Sequence, residues 1–276
     1  MNKCLEKSVA AKKSIEISVI TAVYNRAKSL PRALESIAEQ QHYPLQHIVI
    51  DGASTDGTLD ILKARRSTLY ALVSEPDRGV YDALNKGLSI ASGDVVGFLH
   101  SDDVFAHPQT LQHVASAFDD ESVDAVYGDL QYVAAHDPTR VIRNWRAGSF
   151  SIDKLRWGWM PPHPTLFMRR RVYEQFGCFD TTFKIAADYD HILRSLGSDK
   201  VRVAYLPEVL IKMSLGGLSN RSIQQVLKKS SEDLKAMRKN GIGGTGALIW
   251  KNLSKIPQFF PGKTRSGYLR NPENYS

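Results

Sequence analysis

The chain is short of cysteine, of long apolar stretches, and of acid near its C-terminal end. Among 276 residues only Cys4 and Cys178 are thiols. Two cysteines so far apart exclude a disulfide scaffold and a thiolate zinc site, and they fit a reducing cytosol. No run of about 18 apolar residues occurs, so no helix is expected to span a bilayer. Residues 1–14, MNKCLEKSVAAKKS, lack the apolar middle of a secretion signal and read as a loose leader. Residues 221–276 hold 11 Lys/Arg against the three acids Glu232, Asp233 and Glu273. The net charge of +7 therefore belongs to that segment and not to the rest of the chain.

What is present suffices for a packed core. The composition is 42% hydrophobic and 24% charged, which excludes general disorder. Short apolar runs at Ile17–Ala22, His47–Asp51, Ala71–Ser74, Val95–Leu99 and Asp124–Tyr127 read as strands. Helical spacing recurs between them: Leu30, Ala33, Leu34 and Ile37 after a Ser29-Leu30-Pro31 start, then Leu59–Arg65, Val80–Ala91 and Pro108–Phe118. Strands alternating with helices predict an α/β fold with a mostly parallel sheet flanked by helices. Order weakens over Arg143–Pro164, which reads as surface loops, and resumes at Phe167–Phe176. A helix is expected at Asp188–Leu196, two late strands at Val201–Tyr205 and Val209–Met213, and a cationic helix at Ile223–Asn240.

In parallel sheets, ligands sit beyond the carboxyl ends of the strands. Asp51 ends the second predicted strand, Asp77 follows the third, and Asp102 and Asp103 follow the fourth. Adjacent acids repel, and a divalent cation or a ligand hydroxyl relieves that repulsion. Taken alone, the Asp102-Asp103 pair reads as a solvated cap for the next helix rather than a cation site.

The ordered set ISVITAVYNR, IVIDGASTDGT, SEPDRGVYDALNKGLSIASGDVVGFLHSDD, HPTLFMRRRVYEQFGCFD and AADYDHILR resembles family 2 glycosyltransferases of the Rossmann-like GT-A fold. Within that family it looks most like the branch that builds bacterial surface polysaccharides. The resemblance runs from Ile17 to about Ser219, which sets a catalytic domain at 15–219 and a basic helical appendage at 220–276. It implies an inverting, metal-dependent transfer from a nucleotide sugar, a UDP-sugar by preference, to a saccharide or lipid-linked saccharide.

By that resemblance Ala22, Val23 and Tyr24 line the nucleotide pocket, and Asp51, Asp77 and Arg78 touch the nucleotide, with a minor share for Lys86. Asp102 orients the donor and Asp103 binds Mn²⁺ or Mg²⁺. Asp188 is the base that deprotonates the acceptor, with Asp190, His163, Trp157 and Trp159 on the acceptor side. Read from the residues alone, either tryptophan fits a small satellite core better than a sugar-stacking site. Two positions depart from the family pattern: Arg26 stands where many relatives carry an acid, and Ala187 stands where a glutamate usually precedes the base. Gly216-Gly217-Leu218-Ser219 resembles the segment that closes over the donor.

The basic segment 221–276 interleaves cations with Leu227, Leu248, Ile249 and Trp250. It suits either an anionic membrane surface or packing on the domain. The implied location is the cytoplasm, at the inner face of the membrane. Two rival readings fit less well. A nucleic-acid binder would use the same basic tail, but no recognition motif accompanies it. A sugar-nucleotide pyrophosphorylase would carry a Gly-rich basic loop where Tyr24-Asn25-Arg26-Ala27 stands.

Overall fold

The computed structural model describes residues 14–135, 137–215 and 223–253. The leader before Ser14, the Gly216–Ser219 segment and the tail beyond Leu253 lie outside them. The first half repeats a strand-then-helix unit: β1 (Ile17–Val23), α1 (Leu30–Ala38), β2 (Leu45–Asp51), α2 (Thr58–Ala64), β3 (Ala71–Ser74), α3 (Val80–Ile90) and β4 (Val95–Phe98). The second half runs β5 (Val104–Phe105), α4 (Thr110–Ala117), β6 (Ala125–Ala134), β7 (Asp137–Trp145), α5 (Ile152–Arg156), β8 (Phe167–Arg169), α6 (Arg170–Phe176), α7 (Ala187–Leu196), β9 (Val203–Leu215), α8 (Ile223–Asn240) and α9 (Thr245–Leu253).

The described strands form one sheet in the order β3-β2-β1-β4-β8-β6-β9-β5, with β7 paired to β6. β3, β2, β1 and β4 are parallel neighbours, in register from Ile17 against Leu45 and Val95. β8 then runs antiparallel to both β4 and β6. β6 and β9 pair in parallel, while β5 and β7 are antiparallel to their partners. The sheet is thus parallel in its first half and mixed in its second.

Side chains alternate across this sheet and define its two faces. Ile20, Ile48, Val96 and Phe98 pack on one side with α3, α6 and α7. Val19, Val95 and Ile17 pack on the other with Ala33 of α1 and Leu111 and Val114 of α4. Burying a large apolar side chain contributes roughly 1.5–3 kcal/mol, so these two layers carry the fold. Gly87 lets α3 lie directly on β1, since a Cβ there would stand 2.4 Å from a methyl of Ile20.

Three local features differ from expectation. Ser29 does not cap α1; its backbone is already helical (φ −97°, ψ −33°), so its hydroxyl is carried away from the free amides. The two late strands are one, β9, because Pro207 lacks an amide and produces a register shift rather than a break. Within the stretch read as loops, β7 extends to Trp145 and α5 is helical. β7 is mostly exposed, so no burial pattern marks it in the sequence. The basic helix α8 is not set apart from the domain: Ala236 and Met237 are fully buried in the same core as α7.

Candidate active site

The carboxyl ends of the four parallel strands form a rim. Asp51 closes β2 and is fully buried. Its carboxylate accepts the Ser74 hydroxyl at 2.6 Å and the Ser54 amide at 3.2 Å, which ties the ends of β2 and β3 together. Asp77 accepts the Gly79 amide at 2.8 Å through Oδ1. Its other oxygen rests on Gly52: a Cβ there would stand 2.5 Å from Asp77 Oδ2 and 3.3 Å from the Tyr24 ring. Tyr24, Gly52 and Asp77 therefore meet across three loops, and Tyr24 presents an exposed ring at that point. Val23 contributes backbone, since its carbonyl accepts the Gly52 amide at 2.9 Å while its side chain is core. Ala22 is half-buried against the main core.

The second part of the site lies where β4 ends. The loop His100-Ser101-Asp102-Asp103 splits its two acids. Asp103 turns inward and accepts the Ser214 amide of β9 at 3.2 Å. Its Oδ2 is buried with no hydrogen-bond partner among the described residues. Burial, and then the charge of Asp102, push the Asp103 carboxyl well above its ordinary value. A buried oxygen without a donor and a raised carboxyl are what a cation would relieve, so this donor set fits a divalent metal.

Asp102 stays half-exposed beside His100. The His100 and His163 rings are 6.0 Å apart, and His163 stacks on Phe98. Burial pulls His100 down to about 4 and lowers His163 as well, so both imidazoles are neutral at neutral pH.

Asp188, in the first turn of α7, is in electrostatic contact with both histidines. The Tyr81 hydroxyl of α3 lies 3.1 Å from Asp188 Oδ1 and 2.7 Å from the Ile185 carbonyl. Burial works to raise Asp188. His163, Lys229, the Tyr189 amide and the Tyr81 hydroxyl outweigh it, and the carboxyl sits below its ordinary value. Asp188 is an ionised acceptor facing a pair of neutral imidazoles.

Other expected residues are not in these clusters. Asp190 is fully buried and faces away from Asp188: it pairs with Arg194 at 3.3 Å and Lys239 at 3.1 Å, and accepts the Asn240 amide at 3.0 Å. Its charge holds α8 to α7. Lys86 pairs with Glu75 at 2.7 Å and donates to the Pro76 carbonyl, so it fixes the loop before Asp77. Arg78 is exposed and pairs with Asp82 at 2.6 Å. Trp159 belongs to the core against Tyr127 and Phe150, whereas Trp157 is exposed.

The sequence alone does not single out Tyr81 and His100, although both sit inside the motifs quoted above. Nor does it single out His107, His113 and Glu208, whose ligand atoms lie within 4.8 Å of one another. That His/His/Glu group joins the start of α4 to β9 and could share a metal ion. No spacing in the sequence announces it.

Comparison with known proteins identifies the family and the fold. The pattern of glycosyl transferase family 2 matches residues 18–183. A PGL/p-HBAD biosynthesis glycosyltransferase of Mycobacterium tuberculosis is 31% identical over 218 residues, covering 77% of this chain and 82% of the relative. The fold superimposes on S. aureus TarS 1–349 in complex with UDP-GlcNAc, with a TM-score of 0.59 and 20% identity over 82% of this chain and 65% of that one. It also superimposes on a mannosyltransferase from Pyrobaculum calidifontis in complex with GDP-Man and Mn²⁺, with a TM-score of 0.60 and 23% identity over 83% of this chain and 64% of that one. Against the longer TarS chain the match covers 45% of that protein. With the rim of strand-end acids, the matched family pattern and the shared architecture in hand, the chain is a member of glycosyl transferase family 2 with the GT-A fold.

Proposed function

We propose that the chain is an inverting, metal-dependent glycosyltransferase. It moves a sugar from a UDP-sugar to a saccharide or lipid-linked saccharide during surface-polysaccharide synthesis. The observation that carries this reading is the ionised Asp188, held by Tyr81 opposite the Asp102-Asp103 loop.

The residues take these roles. Tyr24, Asp51 and Asp77 receive the nucleoside. Asp103, with its unpartnered Oδ2, would hold Mn²⁺ or Mg²⁺, and half-exposed Asp102 would orient the donor. A cation there would offset the charge that gathers on the departing diphosphate. Asp188 takes the proton from the acceptor hydroxyl. The acceptor oxygen then bonds to the anomeric carbon as the bond to phosphate breaks, and the nucleoside diphosphate leaves with the electron pair. One displacement from the face opposite the leaving group inverts the centre. His163, neutral and beside Asp188, faces the acceptor. The UDP-GlcNAc and the GDP-Man with Mn²⁺ held by the two structural neighbours support a nucleotide-sugar donor.

No described helix is long and apolar enough to cross a membrane. Leu227 on α8 and Ile249 and Trp250 on α9 are exposed, and Lys228 is exposed as well, which suits contact with anionic lipid at the inner membrane face. The Trp250→Glu variant should then lose sedimentation with phosphatidylglycerol vesicles.

A thermal-shift screen of UDP- and GDP-sugars with and without Mn²⁺ tests the main reading. The expected result is a UDP-sugar that raises Tm only with the metal, and loses that shift in Asp103→Ala. A panel in which no nucleotide sugar shifts Tm under any metal condition rejects it.

A further inference from the structure

The short loop ahead of Asp188 is gripped from two sides by residues remote in sequence. On one side Glu232 of α8 directs a single oxygen, Oε2, at three successive backbone amides: Lys184 at 3.0 Å, Ile185 at 2.8 Å and Ala186 at 3.0 Å. On the other side α3 holds the same loop. Tyr81 binds the Ile185 carbonyl, and Asn85 exchanges two hydrogen bonds with the backbone of Phe179, at 2.9 and 3.0 Å. The Tyr81 hydroxyl that binds the loop is also the one that touches Asp188.

We propose that Glu232 and Tyr81 are positioning residues that fix the Asp188 carboxylate for proton abstraction, so that α8 is part of the catalytic machinery. The proposal rests on the reading of Asp188 as the base. α7 begins after Ala186, which has no side-chain acceptor to organise the approach to the helix. Glu232 supplies that acceptor from a helix almost fifty residues downstream. It is not needed merely to dock α8. Asp190, Lys239, Asn240 and Asp180 already join α8 to the domain through ion pairs and a hydrogen bond from the Asn240 amide to Asp190. Glu232 instead directs its charge at backbone amides two to four residues before the base. Burial, Asp188 and Glu232 all keep Tyr81 protonated, so its one hydroxyl proton is shared between the Ile185 carbonyl at 2.7 Å and Asp188 Oδ1 at 3.1 Å and ties the base to the loop.

The arrangement makes a demand on geometry more than on charge, because one oxygen takes all three amides. A glutamine side chain would keep an acceptor in that place, whereas alanine would not, so Glu232→Gln should rescue what Glu232→Ala loses. The test uses the full chain, UDP release from a panel of UDP-hexoses with Mn²⁺, and UDP titration calorimetry. Glu232→Ala should lower kcat about tenfold or more with donor KM and UDP affinity held within about twofold, as a small misplacement of a catalytic group predicts. Glu232→Gln should recover most of the lost kcat.

Asp180→Asn, which weakens the tie of Oδ2 to Lys239 but keeps an oxygen to accept the Thr182 amide, serves as the control for docking and should keep wild-type kcat. Amide hydrogen exchange over 184–190 should quicken in Glu232→Ala and not in Asp180→Asn. A Glu232→Ala enzyme with wild-type kcat, or equal kcat losses in Glu232→Ala and Asp180→Asn, overturns the positioning role. If Asp188→Asn retains full turnover, it is the assignment of the base that fails. In that case the exchange data still decide whether Glu232 holds the loop.

Discussion

The two halves of the sheet build their share of the site in opposite ways. In the parallel half, from β1 to β4, each site residue sits at the end of its own strand or in the loop that follows. Its supports are local or come from the next strand: Ser54 and Ser74 for Asp51, Gly79 and Gly52 for Asp77. In the mixed half Asp188, the proposed base, stands on α7 and its supports come from far along the chain. Tyr81 is 107 residues away, and Glu232 reaches Ile185 across 47. On the proposed reading the first half is a modular receptor for a nucleotide and the second an assembly whose chemistry depends on long-range closure, so damage to the halves should read differently in kinetics.

Asp188→Asn should separate the halves most sharply. Turnover should fall by about 10³-fold, the middle of the range for a lost acid–base group, while calorimetry still finds UDP bound with Mn²⁺. Asp190→Ala, two residues on, should act on stability instead. It leaves Lys239 and Arg194 without their buried partner, and a loss of about 2 kcal/mol in urea unfolding is expected after discounting the exposure of Lys239. Gly52→Ala probes the modular half: its Cβ displaces Asp77 or Tyr24, so donor KM should rise about tenfold at unchanged kcat.

Acid tests both halves together. Burial holds His47 of β2 at about 4 and His191 of α7 at about 3, below the unfolded value of about 6.5. The unfolded chain therefore binds more protons between those values, and stability should fall as pH drops from about 6.5 toward 4. Calorimetric unfolding should show proton uptake in that window, with His47→Gln and His191→Gln each removing part of it. Trp157→Ala should matter least for folding. Its ring is exposed, so Tm should be unchanged within about 0.5 kcal/mol of stability, and any effect should appear only in acceptor KM.

The modular half was readable because its pattern is repeated and buried on both faces. The β3 expectation of Ala71–Ser74 matches the structure, and α3 and β4 differ by a residue at one end. The rim acids followed from strand ends alone. The mixed half resisted for physical reasons. β7 is exposed along most of its length and so carries no alternation. Asp188 and Asp190 look alike in sequence, yet the helical turn places them about 200° apart, one toward Tyr81 and the other toward Lys239. Glu232 lies in a helix read as a cationic appendage, and nothing short of the folded chain connects it to Ile185.

The union of α8 with α7 sets where this protein can be cut. A fragment ending ahead of residue 223 would strip Asp190 of Lys239 and Asn240 and wet the surface that Ala236 and Met237 now seal. The smallest unit worth expressing therefore runs through Leu253, and the family boundary drawn at 183 is too early by three helices and a long strand.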